Sequence, residues 1–221
     1  MKGVSDMSDT RIFDDISEEE ISRMKLCFKA VNKKYTAGET INSIENLSVG
    51  IVVSGLIEIT KFDFDGNRTI LECIAENEIF GDLFFSQIHE GDVQIICSAD
   101  AEVMFIDYDH LTKQCQNACA HHSKLIQNML FIVSEKSKKL SNRVEVLSQR
   151  TLRKKLITYF NMLSKETGKR NIVLPFSLSS LSDYLCVDRS AMLREMKKMR
   201  EEGLIDSHAK KVNILYDQTM F

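Results

Sequence analysis

The sequence predicts an α+β protein: an N-terminal β-roll (a double-stranded β-helix, jelly-roll-like), a long dimerisation helix and a C-terminal winged helix-turn-helix. Three observations carry that prediction. Short apolar runs punctuated by glycine fill residues 35–108, a helical stretch runs over residues 111–147, and two capped amphipathic segments lie within residues 177–205. The expected boundaries are 1–110 for the roll, 111–147 for the long helix and 148–221 for the C-terminal domain.

At 221 residues the chain is long enough for two modest domains, each with its own core. Hydrophobic residues make up 43% and charged residues 28%, the composition of an ordinary globular protein. No apolar run has the length of a bilayer span, and the polar start MKGVSDMSDTR does not read as a secretion signal. The expectation is a cytoplasmic protein without membrane contact, its six cysteines reduced. The net charge of −3 hides an asymmetry: from Lys136 onward there are 18 Lys and Arg against 9 Asp and Glu, a net of +9. The 11 basic and 23 acidic residues before it give −12. A cationic C-terminal third attracts polyanion, and an acidic N-terminal portion turns away from it.

Along the chain, residues 17–28 read as a helix in which SEEE supplies a cap followed by acids near the positive helix end. Gly50-Ile51-Val52-Val53, Leu56-Ile57-Glu58-Ile59, Thr69-Ile70-Leu71 and Val93-Gln94-Ile95-Ile96 are strand-like runs, and Asp65-Gly66 is a hairpin signal. In the long helix, Ile126, Met129, Val133, Leu140 and Leu147 fit an a/d seam, with Lys136 a polar interruption and Arg143 or Val144 at the remaining position. Such a seam suits a second copy of the same helix.

Leu152, Leu156, Tyr159, Phe160 and Leu163 form the apolar face of the next helix. In SLSSLSDYLCVDRSAMLREMKKMREEGLI, Ser177 is an N-cap for a helix burying Leu178, Leu181 and Leu185. Asp188 is an N-cap for a second helix burying Met192, Met196 and Met199. Gly203 supplies a left-handed end. The opposite face of the second helix carries Ser190, Arg194 and Lys197, with Arg189 in the first turn and Lys198 alongside. A helix so furnished suits a major groove. Residues 204–216 alternate as a hairpin turning at Ala209 and Lys210, which puts Lys210 and Lys211 at a wing tip within reach of phosphates.

This order of roll, long helix and winged helix-turn-helix resembles the Crp/Fnr family of bacterial transcription regulators. The resemblance lies in AGETI near Gly38, VVSGLIEI around Gly55, IFGDLFF around Gly81 and the helix-turn-helix. It implies a cytoplasmic homodimer that binds a palindromic operator in double-stranded DNA, works with RNA polymerase and answers a signal received by the roll. On the second helix of the helix-turn-helix, Arg189, Ser190 and Arg194 fall on the family's base-reading positions. The middle one is commonly glutamate, so the operator should differ at the base it meets.

The resemblance also implies an effector pocket at Gly81, Asp82, Gly91, Asp92, Leu140 and Ser141, and here the chain departs from the cyclic-AMP pattern. Gly81 and Asp82 match the ribose-contacting glycine and acid, but the phosphate-binding Arg-Ser pair falls on Gly91 and Asp92. A lost guanidinium and an added carboxylate disfavour a cyclic phosphate. Leu140 and Ser141 keep one of the two hydroxyls that recognise adenine. The effector is therefore left unidentified, and no cofactor is expected.

Cys115, Cys119 and His122 lie at i, i+4 and i+7, spaced to ligate a soft metal or form a redox-sensitive group, or simply to pack against the roll. The family's iron–sulfur branch uses an N-terminal cysteine group, whereas only Cys27 precedes the roll here. Cys73, Cys97 and Cys186 read as core thiols. An enzyme built on the roll would need clustered histidines and carboxylates on its strands, and His89 is the only histidine there. No catalytic residue is assigned.

Overall fold

The computed structural model describes residues 11–27, 30–41, 48–81, 93–107 and 120–217. It divides into two compact units, residues 1–136 and 137–221.

In the first unit, a 3-10 turn at Arg11–Phe13 leads into α1, Glu18–Cys27. Ser17 and Glu20 form a reciprocal cap: the Glu20 carboxylate accepts from Ser17 N–H at 3.0 Å and the Ser17 hydroxyl from Glu20 N–H at 3.4 Å. Among the described residues seven strands follow: β1 Val31–Tyr35, β2 Ser48–Ser54, β3 Leu56–Phe62, β4 Arg68–Ala75, β5 Ile79–Gly81, β6 Val93–Cys97 and β7 Ala101–Asp107. They pair antiparallel in two sheets, ordered β1-β7-β2-β5 and β4-β3-β6. β1, with the sequence VNKKY, has no apolar alternation to announce it; it sits at a sheet edge, where exposed lysines suit an unpaired rim.

Strand alternation makes this unit three layers deep. On β2, Val49, Ile51 and Val53 join Met104 and Ile106 of β7 in a cluster with Ile12, Phe13 and Ile21. Val52 and Val103 point the other way, into a second cluster with Ile57, Ile59, Ile74, Phe80 and Cys97. Each buried branched side chain contributes about 1.5–3 kcal/mol. Gly50 makes room for Phe80, since a Cβ there would lie 2.5 Å from the ring.

The long helix α2, Ala120–Leu147, carries two stripes. Leu125, Met129 and Ile132 close the first cluster against the roll. Lys136, one further turn along the same stripe, meets the Glu72 carboxylate of β4. Ile126, Leu130, Val133, Leu140 and Val144 are exposed, from 39% at Ile126 to 65% at Leu130. The a/d seam read from the sequence therefore mixed two stripes. Met129 and Lys136 pack against their own domain, and the outward stripe is Ile126, Leu130, Val133, Ser137, Leu140, Val144 and Leu147, at alternating spacings of four and three.

In the second unit, α3 (Leu152–Thr167) starts at the Thr151 cap and ends at left-handed Gly168. β8 (Asn171–Val173) leads to α4 (Leu178–Leu185), α5 (Arg189–Glu201), β9 (Ile205–His208) and β10 (Lys211–Ile214). The three strands pair in the order β8-β10-β9, so the wing has one strand more than the hairpin expected from residues 204–216. The core gathers Leu156 and Phe160 of α3, Leu181 and Leu185 of α4, the three methionines of α5 and Val212 and Ile214 of β10. Tyr159, Phe176 and Tyr184 pack ring against ring with centroids 5.3–6.3 Å apart. Arg143, near the end of α2, lies 4.7 Å over the Tyr184 ring and donates to the Tyr184 carbonyl at 3.4 Å.

Candidate nucleic-acid interface

Both caps read from the sequence are present. Ser177 is extended, and its hydroxyl accepts from Ser180 N–H at 3.1 Å. Asp188 is extended, and its carboxylate accepts from Ala191 N–H at 2.7 Å. Between the helices Cys186 takes the left-handed conformation with φ 53° and ends α4, while the Lys155 ammonium donates to the Leu185 carbonyl at 3.3 Å. Cys186 is exposed, which corrects its reading as a core thiol: it ends α4 at the surface, with its thiol turned back toward the Asp183 carbonyl at 3.9 Å. Cys97 is buried, its thiol pushed up to about 11 chiefly by burial, and Cys73 is half-buried.

Met192, Met196 and Met199 seat α5 in the core, each at most 4% exposed. The opposite face presents Arg189, Ser190, Arg194, Lys197 and Lys198, all exposed. Gly203 has φ +70° and ends the helix as the sequence predicts. At the wing, Ala209 turns the chain with φ 50°, leaving Lys210 and Lys211 exposed beside it. Seven residues expected to meet a polyanion thus lie exposed on one winged domain. Among them, Lys197 makes an i,i+4 contact with Glu201 at 3.7 Å, an exposed pair of little strength.

Sequence reading missed the group that fixes the angle of α5. Arg153 of α3 donates from Nε to Glu195 at 2.5 Å and from its two terminal nitrogens to Glu202 at 2.6 and 2.8 Å. This fork ties the middle and the end of α5 to α3 with charge-assisted hydrogen bonds. The partners stand 42 and 49 residues away from Arg153, beyond any local pattern. The Arg153 hydrogen bonds hold the Glu202 carboxyl below its ordinary range. A lowered folded-state pKa gives stability that is present above the unfolded value and lost as pH falls through the folded one. Replacing Arg153 by Met should lower the thermal midpoint by a few degrees at neutral pH, with the gap narrowing under acid and in high salt. Calorimetry across pH checks it, and a gap unchanged by salt would remove the electrostatic account.

The other predicted positions are placed less fully. Gly81 ends β5, while Asp82, Gly91 and Asp92 lie outside the described residues. Leu140 and Ser141 are exposed on α2. Cys115 and Cys119 also lie outside the described residues, and His122 belongs to α2 without a described side chain. Among the described residues no group of three or more His, Cys, Asp or Glu is placed to hold a metal ion, and no helix is long and apolar enough to cross a membrane.

Residues 32–118 match the family model of the cyclic nucleotide-binding domain. The whole chain is similar in structure to a CooA variant from Carboxydothermus hydrogenoformans, with 15% identity, a TM-score of 0.75 and coverage of 98% of this chain and 96% of that one. It is similar also to the c-di-GMP responsive global regulator CLP of Xanthomonas campestris (16% identity, TM-score 0.66, covering 89% and 99%). A Crp/Fnr-family transcriptional regulator from Thermus thermophilus gives 17% identity, a TM-score of 0.59 and coverage of 86% and 95%. No curated protein matches the chain in sequence. The roll is thus of the cyclic nucleotide-binding type, and the architecture as a whole is that of the Crp/Fnr regulators, as the resemblance in sequence implied.

Proposed function

We propose that this protein is a sequence-specific DNA-binding transcription regulator of Crp/Fnr type, acting as a homodimer under the control of an effector received by its roll. The observation that carries the proposal is α5: capped at Asp188, seated by three methionines and clamped by Arg153, it presents Arg189, Ser190, Arg194, Lys197 and Lys198 to solvent. Its first turn would meet base edges and its later cations the phosphates, with Lys210 and Lys211 gripping the flanking backbone. In this reading residues 1–110 sense, 111–147 pair two copies and 148–221 bind a palindromic operator. The work is done in the cytoplasm, with RNA polymerase as protein partner and no catalytic step.

The effector site would draw on Gly81, Asp82, Gly91, Asp92, Leu140 and Ser141. A glycine and an aspartate in place of the phosphate-binding pair argue for an effector other than cyclic AMP.

The test is binding of the full chain to duplexes selected from a random library, measured across salt. Saturable binding to a palindrome, weakening steeply as salt rises, is expected. Arg194→Ala should relax preference at one base pair per half-site by about tenfold or more, whereas Lys211→Ala should weaken all duplexes alike and flatten the salt slope. An Arg194→Ala protein with unchanged base preference would remove that residue from its role.

A further inference from the structure

Ser190 stands where the family commonly has glutamate, and the structure gives its hydroxyl a partner. Ser190 Oγ lies 2.7 Å from the Asp188 carboxylate oxygen that also caps α5 through Ala191 N–H at 2.7 Å. A carboxylate has no proton to offer, so the hydroxyl must be the donor. The Ser190 hydrogen bond is the largest cause holding the Asp188 carboxyl below its ordinary range; the Ala191 amide comes next and the Arg194 charge adds to both. Asp188 is therefore ionised at neutral pH and remains an acceptor. The one hydroxyl proton of Ser190 is committed inward, and only oxygen lone pairs face outward from an exposed position in the first helical turn.

From this geometry, and resting on the DNA-binding reading above, we propose that Asp188 is a specificity-determining residue: by holding the Ser190 proton, it makes Ser190 an acceptor-only reader that selects an exocyclic amino group, from adenine or cytosine, on the strand it meets. In the major groove those two bases present amino donors, whereas guanine and thymine present carbonyl oxygens at the matching place. A free serine hydroxyl rotates to donate or accept and so discriminates poorly. Asp188 does not touch the base. It acts through Ser190.

The experiment uses the full chain and the duplex selected by the wild-type protein. The base pair read by Ser190 is located as the one whose preference disappears in Ser190→Ala. At that pair the wild type should favour an amino-bearing base over a carbonyl-bearing one by about tenfold, the worth of one well-placed hydrogen bond. If adenine is the base, a purine lacking the 6-amino group should cost the same factor; if cytosine, a pyrimidinone lacking the 4-amino group should. In Asp188→Gly, glycine still caps the helix at small cost and the amino-over-carbonyl ratio should fall to within about twofold. The ratio is read because removing the carboxylate raises affinity for every duplex alike.

A wild-type protein that loses no affinity when the amino group is removed from the adenine or cytosine of that pair would overturn the inference. So would an Asp188→Gly protein that keeps the full ratio with an unchanged thermal midpoint, or a Ser190→Ala protein with no altered position. In each of these outcomes sequence-specific binding persists and the DNA-binding reading stands. Absence of saturable duplex binding by the wild type would sink that reading itself.

Discussion

Gly55→Ala is expected to unfold the roll. Gly55 joins β2 to β3 with φ +96°, a conformation that side-chain-bearing residues adopt at a cost of about 1–2 kcal/mol. The space is worse than the angle. A Cβ there would lie 2.3 Å from the Asp100 carbonyl oxygen and 2.7 Å from Ala101 Cα, both backbone atoms that no rotamer change can move. Relief requires the start of β7 to shift, and β7 pairs with both β1 and β2 at the centre of its sheet. The expected loss is about 4 kcal/mol or more, a large part of the stability of an ordinary domain. Gly66→Ala provides the contrast. Gly66 also has positive φ, +80°, but a Cβ there meets nothing within 4 Å, so only the conformational cost of about 1–2 kcal/mol should appear. Denaturant unfolding of the two variants separates overlap from strain; equal losses would mean that backbone crowding at Gly55 is relieved without cost.

The same contrast marks what the sequence discloses. Local chemistry was legible: Ser177, Asp188 and Gly203 announce helix ends because capping depends on neighbours three or four residues away, and Asp65-Gly66 announces a hairpin for the same reason. Three methionines at spacings of four and three reveal the buried face of α5 because nothing competes with them. On α2 two apolar stripes compete. Ile126, Met129 and Val133 are spaced three and four apart, Ile126, Leu130 and Val133 four and three; both suit a helix face, and only the roll packed against Met129 and Ile132 decides between them. β1 was hidden because an edge strand needs no apolar face, and β7 beside it supplies the register. The Arg153 clamp was hidden because Arg153, Glu195 and Glu202 look like solvated helix charges until α3 and α5 cross.

The outward stripe of α2 leads to the second large effect. Leu130→Lys combined with Leu140→Lys is expected to convert a dimer into monomers and to abolish tight operator binding. Leu130 and Leu140 are 65% and 63% exposed and sit at heptad-spaced positions with Ile126, Val133 and Val144. Two such helices facing one another would bury each side chain twice by symmetry, so the double substitution removes four leucines from the interface. At about 1.5–3 kcal/mol for each buried leucine, the loss is about 6 kcal/mol or more, before the added charges repel one another. The folded chain should be undisturbed, since neither leucine joins the core clusters that hold α2 to the roll through Leu125, Met129 and Ile132. Affinity for a palindrome should fall by about a hundredfold or more, because the second half-site is no longer presented at high effective concentration by a linked partner. Affinity for a single half-site should rise rather than fall, since the new lysines add cationic charge. Sedimentation of the variant, followed by titration against whole and half operators, reads both consequences. A variant that sediments as the wild type would move the dimer contact off this stripe, while a monomer that binds the whole palindrome with undiminished affinity would remove pairing from the mechanism of recognition.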